Sequence, residues 1–286
     1  MQYFGYGSLA GVGWDGWLLA LSVLLLGLFL ALLVLAWWQM VRWMGYRLRP
    51  VAAARVWFVS QLGKYIPGKV VMAAGRVYLS AQEGIPVPAA LLSLVLELVL
   101  MTVAGLFTYL LTWPAAGQTG PYVWISLAAL PFGLAAIYPP LLEQLTNMFL
   151  RLLKKEPISL GLKYGQVLRL FLIYLVAWGV YGFSQYYLIA AFYPLPEQLF
   201  LRITGISSLS WVLGFVSFIS PGGLGVREGA QALLLAQFLP AAVATVAPVL
   251  SRLLWSLAEA LGIALSVAGK ALRRRAKRQE NLTDPG

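Results

Sequence analysis

The sequence predicts an all-α, polytopic integral membrane protein. Its expected architecture is an inverted repeat of span, re-entrant hairpin and span, with one extra span joining the two copies. Three observations predict this. Hydrophobic residues make up 60% and charged residues 11% of 286, with a mean hydropathy of +0.80, where a soluble domain carries roughly 25% charged residues. The apolar stretches cover nearly the whole chain, leaving no length for a folded soluble domain. Two of them, far apart, are interrupted by Pro-Gly sequences that also carry cations, Gly63-Lys64-Tyr65-Ile66-Pro67-Gly68-Lys69 and Ser220-Pro221-Gly222-Gly223-Leu224-Gly225-Val226-Arg227-Glu228.

Taken in order, residues 1–13 hold no Lys or Arg, and the first apolar segment lacks the basic region and cleavage site of a signal peptide, so it is expected to stay. Trp14 and Trp17 open a span that Trp37 and Trp38 close, from about 17 to 40. Arg42, Arg47, Arg49 and Arg55 follow, which puts the N-terminus outside and this cluster in the cytoplasm. The leg from Val51 to Ile66 is about 24 Å long as a helix, short of a ~30 Å hydrocarbon core. Pro67-Gly68 ends it, and Lys69 to Gln82 is shorter still, so a hairpin dipping in from the cytoplasm is expected. A span from about 89 to 113 contains Glu97, and the uncharged stretch 114–121 is an outside loop. A linking span near 121–142 returns to the cytoplasm, where about 143–169 form a basic, amphipathic loop with Arg151, Lys154, Lys155, Lys163 and Arg169. Residues 170–190 span outward, a second hairpin runs from about 201 to 238, and the last span, about 242–268, contains Arg252 and Glu259. The tail, 270–286, carries the run Arg273-Arg274-Arg275-Ala276-Lys277-Arg278 and is read as cytoplasmic in an inner membrane.

Span, broken hairpin and span thus occur twice, over about 14–113 and about 166–268, and a single crossing between them places the copies in opposite orientations. Inverted repeats with broken helices at matching positions are a transporter signature, with substrate at the repeat interface. The second hairpin's legs are long enough that two full spans are the alternative, with the same parity.

Composition also excludes chemistry. With Cys 0 and His 0, thiol nucleophiles, imidazole catalysis and Cys/His metal centres are not expected; no cofactor is implied, and no catalytic constellation is recognisable. The net charge of +11 is a topology signal and an attraction for anionic lipid, with nucleic acid not an expected partner.

What remains is anion binding. Ser220-Pro221 reads as an N-cap followed by Pro at the first helical position, and Gly222, Gly223 and Gly225 would let backbone amides approach a ligand at a helix N-terminus. Pro67-Gly68-Lys69 repeats the arrangement and adds an ammonium. A phosphate is therefore placed between the two breaks, with Lys64, Lys69, Arg76 and Arg227 as cationic ligands. For Lys64 and Arg76 the alternative is snorkelling to the interface. Glu97, Glu228, Arg252 and Glu259 are ionisable groups in apolar stretches, read as coupling groups or structural ion pairs. Arg252 and Glu259 share a face but lie about 10 Å apart along the axis, so each should pair with another helix.

At these motifs the sequence resembles the membrane domain family of lysylphosphatidylglycerol synthetases, a flippase-like region also found as stand-alone proteins. The resemblance rests on Gly63-Lys64-Tyr65-Ile66-Pro67-Gly68-Lys69-Val70, on Arg76, on Glu97, and on Pro221-Gly222-Gly223-Leu224-Gly225-Val226-Arg227-Glu228-Gly229. It implies a multi-pass protein that translocates phospholipids or polyprenyl-linked lipids, or assists in doing so. The sequence holds no soluble aminoacyl-transfer domain, so a stand-alone member without lysyl transfer is expected. In family members the span glutamate is often followed by Arg and then Asp. Here it stands in Glu97-Leu98-Val99-Leu100-Met101, which argues against a charge relay in that helix. The leading expectation is a lipid transporter whose partners are the bilayer and an anionic phospholipid or polyprenyl-phosphate lipid. The alternatives are an accessory subunit of a membrane glycosyltransferase or lipid-modifying enzyme, and an enzyme acting on a lipid phosphate. A homo-oligomer is compatible with all three.

Overall fold

In lipid a backbone can satisfy its polar groups only internally, so long uncharged runs of Leu, Val and Ala must become helices. The computed structural model describes residues 13–66, 70–115, 135, 137–152, 159, 161–217 and 220–283. Among them are nine α-helices and no strand. These are α1 (Gly16–Trp43), α2 (Pro50–Gln61), α3 (Val70–Ala81), α4 (Val87–Ala115), α5 (Pro139–Leu152), α6 (Tyr164–Ala190), α7 (Leu199–Val216), α8 (Val226–Leu235) and α9 (Ala241–Thr283). Five are long and apolar enough to cross a membrane: α1, α4, α6, α7 and, over Ala241–Gly269, α9. The chain is therefore a multi-pass helical membrane protein.

Helix α1 starts where the Asp15 carboxylate accepts from the backbone N–H groups of Trp17 (2.9 Å) and Leu18 (3.1 Å). The Asp15 N–H donates to the Ala191 carbonyl at 2.8 Å, tying the start of α1 to the end of α6. The two helices run antiparallel: Ser22 and Ser184 each donate to the other's carbonyl (2.8 and 2.9 Å), and further along Phe29 packs on Tyr181 and Trp178. Helices α4 and α7 are also antiparallel, with Gly205 facing Thr112 and Gly105 facing Val212.

Two helical hairpins fill the space between these spans. In the first, Arg55 pairs with Glu83 at 2.5 Å, Arg76 donates to Ser60 at 2.8 Å, and Gly63 lies against the backbone of Met72. These contacts nest one inside another, so the chain reverses between α2 and α3. Each leg has 12 residues, about 18 Å of helix, too short for a ~30 Å core. The leg α2 ends in a single 3-10 turn, Leu62–Tyr65. A Cβ on Gly63 would stand 2.3 Å from the Met72 nitrogen, so only glycine permits this approach. In the second hairpin Gln231 faces Ser207, and Arg227 and Gly223 both pack against Gly214. Its legs are unequal. Helix α7 has 18 residues, whereas α8 has ten, about 15 Å, and does not span.

Some boundaries differ from the sequence-based expectation. Helix α6 begins at Tyr164 rather than near 170, and α9 continues beyond the apolar span into the basic tail as far as Thr283. Each extension runs through a glycine, Gly165 and Gly269, without ending there, and neither contains a proline. The linking span expected near 121–142 lies mostly outside the described residues. Its end overlaps α5, which carries exposed Leu141 and Met148 as well as Glu143 and Arg151.

Candidate functional site

The tips of the two hairpins meet. A Cβ built on Gly222 would lie 3.3 Å from the Lys64 carbonyl oxygen and 3.1 Å from the Arg252 guanidinium. Behind this contact is a cavity of about 90 Å³, lined by Lys64, Arg76, Glu97, Arg227, Arg252 and Glu259, with Gly222, Trp57, Trp211, Phe215 and Trp255 in its walls. Six charged groups from five different elements therefore converge in the apolar interior.

Arg76 is fully buried. Its Nη1 donates to Glu97 Oε2 at 2.8 Å, its Nε to Ser60 Oγ at 2.8 Å, and the guanidinium lies 4.8 Å from the ring centre of Trp37. Its Nη2 is buried without a hydrogen-bond partner. Glu97 completes its set by accepting from Trp57 Nε1 at 2.6 Å. Across the cavity, Lys64 Nζ donates to Glu259, which also accepts from Trp255 Nε1 at 2.7 Å and Tyr65 Oη at 3.2 Å. Arg252 donates to the Gly222 carbonyl at 3.1 Å and lies 3.8 Å from Glu228. Arg227 is buried at the start of α8. It donates to Tyr181 Oη and stands 4.5 Å from the Trp255 ring centre, with no carboxylate in ion-pair distance among the described residues.

The lining carries four cations against two carboxylates, a formal surplus of two positive charges. Adding Glu228, which stands behind Arg252, still leaves one. A surplus of buried cation is costly unless an anion shares the site. Arg76 Nη2 and the Arg227 guanidinium are the groups with unspent capacity.

Of the residues singled out from the sequence, Lys64, Arg76, Gly222, Arg227, Glu97, Arg252 and Glu259 are brought to this one cavity. Lys69 lies outside the described residues. The others stand off, for local reasons. Ser220 does not cap an α-helix: Pro221–Gly223 is a single 3-10 turn, the helix begins at Val226, and the Ser220 hydroxyl donates to the Leu224 carbonyl. Gly223 is needed for close packing, because a Cβ there would stand 2.8 Å from the Gly214 oxygen. Gly225, at φ 81°, is the N-cap of α8, and its N–H donates to Glu228 Oε2 at 2.7 Å. The helix start of α8 thus holds its own carboxylate instead of an open amide nest. The aromatic wall was not anticipated. Trp57 and Trp255 serve the two glutamates as donors, and Phe29, Tyr181, Trp178 and Trp211 continue the stack. One signal was available: Trp255 and Glu259 are separated by one helical turn in an apolar segment, and Trp57 sits within a leg instead of at an interface.

These features define a class: a multi-pass helical membrane protein in which two broken hairpins meet over a buried, positively charged cavity. The family is specific. The chain belongs to the family described as the lysylphosphatidylglycerol synthase TM region, which matches residues 9–272. No curated protein matches the chain.

Proposed function

We propose that this protein is a flippase-type lipid transporter that holds the anionic head group of a phospholipid or polyprenyl-linked lipid between its two hairpins. The observation that carries the proposal is the cation surplus of the cavity, and above all Arg227, buried and without a carboxylate partner among the described residues. The cavity's size supports a bound phosphate-sized group. Its volume of about 90 Å³ is well below the ~300 Å³ of small drug-sized pockets, so the tails stay in the bilayer. The role is binding and translocation, with no covalent step.

The proposed mechanism uses opposed re-entrant hairpins. The first enters from the cytoplasm and the second from outside, with the N-terminus outside and the C-terminus in the cytoplasm of an inner membrane. The bond between Asp15 and Ala191 supports this by holding together two ends both expected outside. The antiparallel run of α7 along α4 supports an entry of the second hairpin from the side where α4 ends. Alternating access then amounts to one repeat rocking against the other around a fixed head-group site.

Native mass spectrometry of the detergent-purified protein tests the reading. Wild type should retain an anionic phospholipid or polyprenyl phosphate, and Arg227→Gln should lose it while still expressing and inserting. A variant that keeps the lipid sinks the phosphate site. Cysteines placed at Gln82 and Leu239 should label from opposite faces of the membrane, and labelling from one face removes the inverted repeat.

A further inference from the structure

Resting on the head-group reading above, we propose that Glu259 is a resident surrogate anion. It occupies on Lys64 the place that a head-group phosphate oxygen takes, and its displacement sets how tightly and how reversibly the site binds.

The geometry points to this through the donors that Glu259 uses. One carboxylate collects an ammonium (Lys64), an indole N–H (Trp255, 2.7 Å) and a phenol O–H (Tyr65, 3.2 Å). All three donors are equally suited to phosphate oxygens, and Lys64, Trp255 and Glu259 itself line the cavity. The Trp255 ring is shared, with Lys64 Nζ 5.8 Å and the Arg227 guanidinium 4.5 Å from its centre. Lys64, Arg227 and Glu259 line the same cavity, so an anion seated there meets Glu259 as a competitor of like charge.

The other pair in the cavity behaves differently. Arg76 keeps Glu97 and Ser60 on two of its nitrogens and still has Nη2 free, so it can bind an anion without releasing its glutamate. Lys64 has a single nitrogen, and its side chain retains 15% exposure against 0% for Arg76. Only at Lys64 would the incoming anion and the resident carboxylate share one nitrogen, and their mutual repulsion drives the exchange. When Glu259 gives up Lys64 it keeps Trp255 and Tyr65, so it is not left bare. A transport site must bind well enough to admit its cargo and weakly enough to release it. A built-in carboxylate meets that need, because it re-covers Lys64 as the lipid leaves.

The test titrates phosphatidylglycerol onto full-length protein in a neutral detergent, with native mass spectrometry as the readout and thermal melting as a check on folding. Glu259→Gln should bind phosphatidylglycerol about tenfold more tightly, equivalent to ~1.4 kcal/mol, and inorganic phosphate should compete better than it does in wild type. Glu97→Gln should change affinity less than about threefold, roughly 0.6 kcal/mol. Glu259→Asp, which withdraws the carboxylate by one methylene, should tighten binding by an intermediate factor and serves as the second variant if the glutamine form folds poorly. Unchanged or weaker binding in a folded Glu259→Gln or Glu259→Asp protein overturns the surrogate role and leaves the head-group site standing. A wild type that binds no phosphatidylglycerol and no polyprenyl phosphate overturns both.

Discussion

Two buried ion pairs, Arg76–Glu97 and Lys64–Glu259, face each other across one cavity, and they are built to opposite ends. The first joins α3 to α4 through a fully buried guanidinium with a carboxylate, a hydroxyl and the Trp37 ring around it, and one nitrogen still free. The second joins the 3-10 turn of the first hairpin to α9 through a single ammonium on a partly exposed side chain. Both glutamates are held by a tryptophan N–H, at 2.6 and 2.7 Å. The difference lies in the cation. A planar guanidinium can hold structure with two nitrogens and offer a third, whereas an ammonium gathers every partner on one nitrogen, so a second anion there crowds the first. The first pair braces the hairpin, and the second answers to a ligand.

Removing Arg76 should break the comparison most severely. Arg76→Gln leaves Glu97 buried with only an indole donor, and the cost should be about 3–5 kcal/mol. It should appear as lost monodispersity or a large drop in melting temperature, and an unchanged melt would refute the bracing role. Lys64→Gln should cost less, on the order of 1–3 kcal/mol, because Glu259 keeps two neutral donors. Combining it with Glu259→Gln should restore part of that loss; a double variant less stable than the single one would deny that the two are coupled. Arg227→Gln should move binding without moving stability. Taking out a buried cation that has no counter-charge among the described residues should leave the melting temperature unchanged or raise it, while retained anionic lipid falls. The smallest effect separates the two tryptophans. Trp57→Phe should cost ~1 kcal/mol or more of stability through the Arg76–Glu97 pair. Trp255→Phe should instead act on binding and weaken lipid retention, because Glu259 then gives up Lys64 with one donor fewer, so equal effects from both would erase the difference between the pairs.

Much of the architecture was legible in the sequence because the signals are local. An uncharged run of the length of Gly16–Trp43 or Tyr164–Ala190 must be helical in lipid, whatever surrounds it. The breaks were marked by Pro and Gly, and the charged residues stood out because a charge in an apolar stretch is rare. Three things were hidden. The first is the aromatic wall, because Trp in a membrane sequence reads first as an interface anchor. The second is the reason for Gly63 and Gly223: Gly63 reads only as part of the break and Gly223 as room for a ligand, yet each is small because another backbone passes within contact distance. The third is the start of α8, where Ser220-Pro221 has the look of a cap but the chain makes a 3-10 turn and α8 begins five residues later, at Val226.

The sequence alone determined that this chain is a multi-pass helical membrane protein with two interrupted hairpins, since transfer free energy and backbone satisfaction act segment by segment. Only the tertiary structure decided which charges meet. Lys64 and Glu259 are 195 residues apart, and nothing local orients one toward the other. In a soluble helix the apolar stripe reveals the inward face, but a helix in lipid is apolar on its outer face as well, so its rotation is set by packing against its neighbours. That rotation turned six scattered charges into one cavity.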